Sequence, residues 1–199
     1  ILFSAGGFDA KYGDKMSSVL DITYKRPREN AASLQLSLLG GTTHFEGVTK
    51  NKRLSYLIGA RHKTSQYLLN SLDTEADYTP RFSDIQSLIS YELSTNWQIS
   101  FLGNISSNEY KMIPKNRDTE FGTINEALKL TIYFEGQELD KYETYFGALS
   151  SKYHPSTKLQ LHFTTSAFST IEEENFDILG EYWLYQLNNN MGSNEFGDV

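Results

Sequence analysis

The sequence predicts an all-β fold that is part of a transmembrane antiparallel β-barrel. Apolar and polar residues alternate with period 2 in many short segments, the pattern of strands with two different faces. Aromatic residues reach 14% of the chain, while hydrophobic residues of all kinds make up only 39%. Such a share suits a barrel, because only alternate residues of each strand face lipid. The segments are also joined by connections that are short and long in turn, as in outer-membrane barrels.

The first element is a compact alternating strand over residues 18–24, SVLDITY. A turn-rich stretch containing Gly6, Gly7 and Gly13 precedes it, and glycine permits conformations and close approaches that side chains block. Residues 25–30, KRPREN, then form a polar linker. We expect residues 1–30 to be the end of one structural unit and residues 31–199 to be the beginning of another.

About eight further strands follow the linker, each predicted from alternation or from a wealth of aromatic residues. In the first of them Leu34, Leu36 and Leu38 alternate with serine and glutamine. The predicted strands are 33–38, 54–62, 87–93, 97–104, 128–134, 142–153, 159–164 and 181–187.

The connections differ in length in a regular way. Those at 50–52, 94–96 and 154–157 are short, those at 63–84 and 108–125 are long, and 135–141 is intermediate. Residues 170–177 contain Glu172, Glu173 and Glu174 and predict a solvated acidic loop. The best helix candidate, 64–72, lies in a connection. A strand that rises at residue 33 would place the 50–52 turn at the wrong end, so a bend or extra crossing is required near Gly40.

Composition excludes several other classes. No run approaches the roughly 18–20 apolar residues of a membrane helix, and the net charge of −7 argues against nucleic acid. The chain has no cysteine, so it has neither disulfides nor thiolate metal sites. Ile1-Leu2-Phe3 lacks the basic start of a signal peptide. A soluble β-sandwich that binds or cleaves carbohydrate remains an alternative, because short hairpins also alternate with long returns there.

No catalytic, cofactor or metal site is predicted. Asp73, Glu75, Asp77 and Asp84 have the spacing of a calcium loop, but Tyr78 stands where that loop needs glycine, so an acidic external loop is favoured. The four histidines lack ligand spacing. No nucleophile elbow or phosphate loop occurs.

Aromatic residues gather near predicted strand ends and loops, where barrels place their interfacial girdles. An alternative is that some of them stack on a sugar or peptide, and Tyr67, Tyr78 and Trp183 are the candidate ligand contacts at a loop or rim. The full set comprises Tyr67, Tyr78, Phe82, Trp97, Tyr110, Tyr133, Tyr153, Trp183 and Tyr185.

The opening stretch resembles the C-terminal end of the plug domain in TonB-dependent outer-membrane receptors of Bacteroidetes type. Residues 56–61 and 82–84 carry a weaker likeness to the early barrel of these receptors, and Asp14 departs from the pattern because many members have glycine there. The matching residues are Gly6, Gly7, Phe8, Ala10, Tyr12, Gly13, Ser18, Val19, Asp21, Ile22 and Lys25.

This resemblance implies a single-chain barrel of about 22 strands with a plug inside, of which the chain is an excerpt. Residues 1–30 would be the end of the plug and its linker, with Gly6, Gly7, Phe8, Tyr12, Gly13 and Asp21 as the junction motif. Residues 31–199 would be the first strands of the barrel.

The implied function is import of a bulky nutrient (a glycan, a peptide or a metal chelate) across the bacterial outer membrane, without an enzymatic step or a cofactor. The implied partners are outer-membrane lipid, the TonB–ExbB–ExbD complex and a surface lipoprotein. A barrel subunit of an outer-membrane assembly is a related alternative. The membrane interpretation predicts that six apolar side chains face outward: Leu34, Leu36, Ile99, Phe101, Leu161 and Phe163.

Overall fold

The chain is an all-β protein in a computed structural model that describes residues 1–13, 17–72, 74–123, 126–190 and 192–199. Strands hold 71% of the described residues and helix 2%, which confirms the predicted all-β class. The strands form a two-stranded antiparallel sheet and a nine-stranded antiparallel sheet that curls into a half-barrel.

The small sheet pairs the first two strands, and the large sheet contains the rest. One four-residue helix interrupts the strands, within the connection where the sequence predicted it. In chain order the elements are β1 Leu2–Ala5, β2 Ser18–Asp21, β3 Ala31–Ser37, β4 Gly40–Val48, β5 Leu54–Thr64, α1 Gln66–Leu69, β6 Ala76–Tyr78, β7 Arg81–Ser94, β8 Trp97–Pro114, β9 Arg117–Thr123, β10 Glu126–Ser156 and β11 Leu159–Gln186.

The large sheet is a meander in the order β3-β4-β5-β7-β8-β10-β11, with β6 paired to β8 and β9 paired to β10. The short turns at 49–53, 95–96 and 157–158 lie at one end of the meander, the short-turn end, as the sequence predicted. A tight hairpin at residues 38–39 supplies the extra crossing expected near Gly40, which has φ +123°. The linker therefore enters β3 at the short-turn end.

Two pairs of predicted strands are each one long strand. β10 contains 128–134, the expected connection 135–141 and 142–153, and β11 contains 159–164, the expected acidic loop 170–177 and all of 181–187 except Leu187. Glu172, Glu173 and Glu174 thus lie in a strand, where they pair with Tyr142, Lys141 and Asp140. The loop prediction was wrong because charges occupy both strand faces here and hide the period.

Two other predicted boundaries also move. The long connection at 108–125 is mostly strand, because β8 continues to Pro114 and β9 forms a hairpin with β10. The strand predicted over 18–24 ends at Asp21, because Asp21 pairs with Leu2, where β1 begins. From Ile22 onward β1 offers no partner, and the chain leaves the small sheet.

The two faces of the half-barrel differ sharply in chemistry. We call inner the face that residues 22–27 contact, and it is mainly polar, with Arg61, Asp84 and Gln86 among its residues. The opposite, outer face carries all six side chains that the sequence predicted to point outward. Leu36 is 77% exposed and Phe163 is 67% exposed. Within the described residues the buried apolar side chains are Val19, Pro27, Leu57, Ala76 and Leu187.

Candidate functional site

Residues 22–27, which we call the strap, cross the inner face and are held there by three polar contacts. The Tyr24 hydroxyl donates to Gln86 Oε1 on β7 at 3.0 Å. Lys25 Nζ lies 2.5 Å from Glu46 Oε2 on β4, and Arg26 Nη2 donates to Glu92 Oε1 on β7 at 2.5 Å. Three successive side chains therefore bind two strands of the wall.

The end of the strap is fixed by packing as well as by charge. Pro27 is buried, and proline suits an unpaired segment because it has no backbone N–H to satisfy. Glu46 also accepts from His44 Nε2, 2.9 Å away, so the carboxylate that binds Lys25 is itself held in place. The geometry joins the small sheet to β3 by a restrained path.

A cavity of about 460 Å³ lies between the strap and the inner face. It extends past the strap to β8, β10 and β11, where Lys152 and His162 line it. All the polar contacts that the described residues make with the strap are to β4 and β7. The cavity thus extends to strands with which the strap makes no polar contact.

A row of hydroxyl side chains crosses the wall of this cavity. Direct pairing places Ser55, Ser90, Ser100, Ser150 and Thr164 side by side on five neighbouring strands. Ser55 is only 3% exposed, whereas Ser150 is half-buried and lies 3.0 Å from Thr164 through their hydroxyl oxygens. Small hydroxyls leave room beside them and hydrogen-bond to water or to a polar solute.

The predicted junction residues lie in and around the small sheet. Gly6 has φ +81° and its N–H donates to Ser17 O, which explains glycine there. The Tyr12 hydroxyl donates to Asp21 and ties the turn to the end of β2, while Phe8 is half-buried. The expected close approaches do not occur: among the described residues nothing lies within 4 Å of a Cβ built on Gly6, Gly7 or Gly13. Asp14 lies outside the described residues.

Side chains on the outer face form an apolar band across the strands. On β8 the band extends from Trp97 to Ile105 and on β10 from Tyr153 to Tyr145, about nine residues each, close to the roughly 9–11 of a membrane-crossing strand. Phe101 lies at mid-height and covers Gly103. Further side chains of the band include Leu34, Phe45, Ile58, Ile85, Ile89, Tyr91, Ile99, Leu149, Leu161 and Phe163.

The two margins of the band have different chemistry. At the short-turn end the rings of Trp97 and Tyr153 lie 5.8 Å apart, and Trp97 Nε1 donates to Ser151 Oγ at 2.9 Å. At the other end a row of paired charges crosses the strands: Arg81, Glu109, Lys141 and Glu173. Amphipathic aromatics at one margin and ions at the other match the two borders of an apolar layer.

The three candidate ligand contacts lie on three different elements. Tyr67 is exposed on α1, Tyr78 lies on β6 and Trp183 lies far along β11, opposite Thr131. No ring contact joins any two of them within the described part of the chain. Tyr78 instead meets Tyr110, with ring centroids 6.2 Å apart.

A cluster of tyrosines and carboxylates lies on the inner face beyond the band. Burial raises the pKa of Tyr110, and neighbouring Tyr78, Glu138 and Asp140 raise it further. The Tyr142 hydroxyl donates to Glu174 Oε1 at 2.9 Å, and this bond is the main reason that the pKa of Tyr142 is raised. Both tyrosines therefore stay neutral donors through the physiological range.

The residues of the acidic connection do not converge either. Glu75 pairs with Arg117 at 2.7 Å, Asp77 with Lys115 at 2.9 Å and Asp84 with Arg61 at 2.8 Å. Each carboxylate is thus neutralised by its own base, and Asp73 lies outside the described residues. No group of three or more metal-ligating side chains was found in the described ranges.

Sequence reasoning missed the strap contacts and the hydroxyl row. The sequence predicted a polar linker for KRPREN but no partners for it, whereas Lys25 and Arg26 lie beside carboxylates on the polar faces of β4 and β7. One sequence pattern could have predicted the strap contacts. A pair of basic residues directly follows a strand, and isolated glutamates occur on one face of the strands that come next. The hydroxyl row was not visible, because its members come from strands far apart in the chain.

No protein-family model, curated protein or solved structure matches the chain. No helix in the described ranges is long and apolar enough to cross a membrane.

Proposed function

We propose that this chain is the plug end and early barrel of a TonB-dependent receptor that imports a bulky nutrient across the bacterial outer membrane. One observation carries the proposal: a half-barrel with an exposed apolar outer band and a polar inner face, across which the segment after the junction motif is laid. That arrangement is what a plug leading into its barrel requires.

The exposure of apolar side chains on the outer face favours a surface that contacts lipid over one that contacts water. A soluble β-protein packs its apolar strand faces inward and keeps large exposed apolar patches rare. Here Leu36 and Phe163 are more than half exposed, and the face that another segment covers is the polar one. The soluble carbohydrate-binding or carbohydrate-active sandwich is therefore the weaker candidate.

The open edges of the sheet support further strands. β3 and β11 each have one pairing partner, and every residue of β3 is exposed. Unpaired backbone groups are costly in a bilayer, so a membrane barrel must close. Additional strands, a TonB complex to supply energy and a surface lipoprotein belong to the same proposal, as does placement in the outer membrane.

Deletion of the gene in its native host tests the function. We expect the deletion strain to lose growth on one of three nutrient classes (glycans, peptides or ferric chelates) and to recover with the full-length gene. The protein should fractionate with the outer membrane and migrate differently in gels with and without heating. Normal growth of the deletion strain on all three classes, or recovery of the folded protein in the soluble fraction, would contradict the proposal.

A further inference from the structure

The strap divides the inner face into a tied side and an open side. Its three polar contacts are to β4 and β7, at Glu46, Gln86 and Glu92. The cavity beside it continues to β8, β10 and β11, where serine, threonine, lysine and histidine line it. On the open side, no polar contact between the strap and the strands lies in the way of water or a solute.

From this asymmetry we propose that the strap is a permanent part of the wall and that the water-filled path of the receptor runs beside it, along β8, β10 and β11. Tyr24, Lys25 and Arg26 are positioning residues in this mechanism. The inference deepens the proposed transport function and rests on it. Movement of the plug then involves residues upstream of the strap, while residues 22–27 stay seated.

The energetics of the contacts fit this division. Glu46 has a side chain only 11% exposed and is held by both Lys25 and His44, so removal of the strap would leave a poorly solvated carboxylate with one partner fewer. Gln86 would lose its donor, and buried Pro27 would have to leave its packing. On the open side the hydroxyls need no such partner from the strap, because water satisfies them.

The hydroxyl row provides a matched pair of reporters. Ser55 and Ser150 lie in the same row, but Ser55 is buried on the tied side and Ser150 is half-buried on the open side. The 199 residues contain no cysteine, so Ser55→Cys and Ser150→Cys each add one thiol to this region of the full-length protein. N-ethylmaleimide is small enough to reach the periplasm, and thiols left unreacted are counted by a gel shift after denaturation.

We expect Ser150→Cys to react about tenfold faster than Ser55→Cys, because thiol reactivity follows exposure. The contrast should be the same in energised cells and in cells treated with a protonophore. Ser55→Cys that becomes reactive only in energised cells would overturn the fixed strap, and equal reactivity of both variants in both conditions would overturn the tied side. Heat-modifiable migration in gels verifies that each variant is folded.

Cross-linking gives a second measurement that does not depend on the Ser55 and Ser150 variants. Thr23→Cys with Ser90→Cys, two positions that line the cavity and leave the three ties intact, joined by a flexible bis-methanethiosulfonate reagent, should cross-link to the same yield with and without the protonophore. A lower yield in energised cells would show that the strap leaves the wall. Growth of the same strains measures transport separately. Normal growth together with a cross-linking yield that falls in energised cells would refute this inference alone. A deletion strain without a growth defect would refute the proposed transport function.

Discussion

At the scale of single residues, backbone geometry decides which glycines are irreplaceable. Gly136 has φ +89°, and a Cβ there would clash with the carbonyl oxygen of Asp177 on the paired strand. Gly7 has no positive φ, and open space surrounds its Cβ position. Gly7 belongs to the predicted junction motif and Gly136 does not, so a pattern of glycines in sequence is a poor guide to steric need.

Gly136→Ala should therefore loosen the β10–β11 pairing, while Gly7→Ala should not. A left-handed conformation costs an alanine roughly 1–2 kcal/mol, which corresponds to roughly 5–30-fold faster hydrogen exchange if the pairing opens locally. Hydrogen exchange of residues 134–139 and 175–180 in the detergent-solubilised protein measures the effect. Unchanged exchange in Gly136→Ala would show that the neighbouring strand can move aside.

In the hairpin of β9 and β10, a single carboxylate makes the stability depend on pH. A hydrogen bond from Thr131 lowers the pKa of Asp118, and Lys129, with Nζ 3.1 Å away, lowers it further. Because the folded pKa lies below the ordinary value of 3.8, the ionised carboxylate stabilises the hairpin above that value. This contribution is lost as the pH falls through the folded pKa.

Asp118→Asn should weaken hydrogen-exchange protection of β9 near neutral pH, because the amide lacks the charge that Lys129 attracts. At a pH well below 3.8 the variant and the unmodified protein should be equally protected, because Asp118 is then neutral as well. Protection that differs equally at both pH values would mean that side-chain shape, and not charge, matters at this position.

At the scale of elements, consecutive residues of each strand in the half-barrel face opposite sides of the sheet, one apolar and one mainly polar. On β7 the side chain of Ile89 belongs to the outer apolar band, opposite Phe101, and Ser90 belongs to the inner hydroxyl row, opposite Ser100. The strand period of 2 alone produces this separation. The same alternation let the sequence predict which side chains lie together on the outer face.

In the proposed outer-membrane placement, Ile89→Lys should reduce the amount of folded protein in the membrane, whereas Ser150→Lys, on the open side of the inner face, should leave it near the unmodified level. A lysine on the lipid face near the bilayer midplane costs about 2–4 kcal/mol, while a lysine on the inner face remains in water. Quantification of the heat-modifiable band in isolated outer membranes measures both. Equal yields of the two variants would contradict the assignment of the outer face to lipid.

At the scale of the whole molecule, the half-barrel has an apolar band on its outer face and mainly polar side chains on its inner face. The long hairpin of β10 and β11 continues well past the band, and its residues carry charges on both faces. Trp97 lies at the margin of the band, and Trp183 lies on β11 in the part of the β10–β11 hairpin beyond the band. Along β10 their partners Tyr153 and Thr131 are about 22 residues apart, roughly 70 Å.

If the band lies in the bilayer, as proposed, brominated lipids should quench the fluorescence of Trp97 and leave that of Trp183 unchanged. In proteoliposomes of the full-length protein, Trp97→Phe should therefore remove a quenchable component, and Trp183→Phe should remove one that resists quenching. The reverse assignment, or loss of a quenchable component from both variants, would contradict the position of the band.

Sequence alone determined the all-β class, the faces of the strands and the end at which the short turns lie, because a period of 2 and turn residues are local properties. It did not determine the length of β10 and β11, since charged residues outside the band lie on both faces and leave no period to follow. Only the tertiary structure placed the strap on the inner face. The partners of Tyr24, Lys25 and Arg26 lie 62, 21 and 66 residues further along the chain, and strand pairing in three dimensions brings them together.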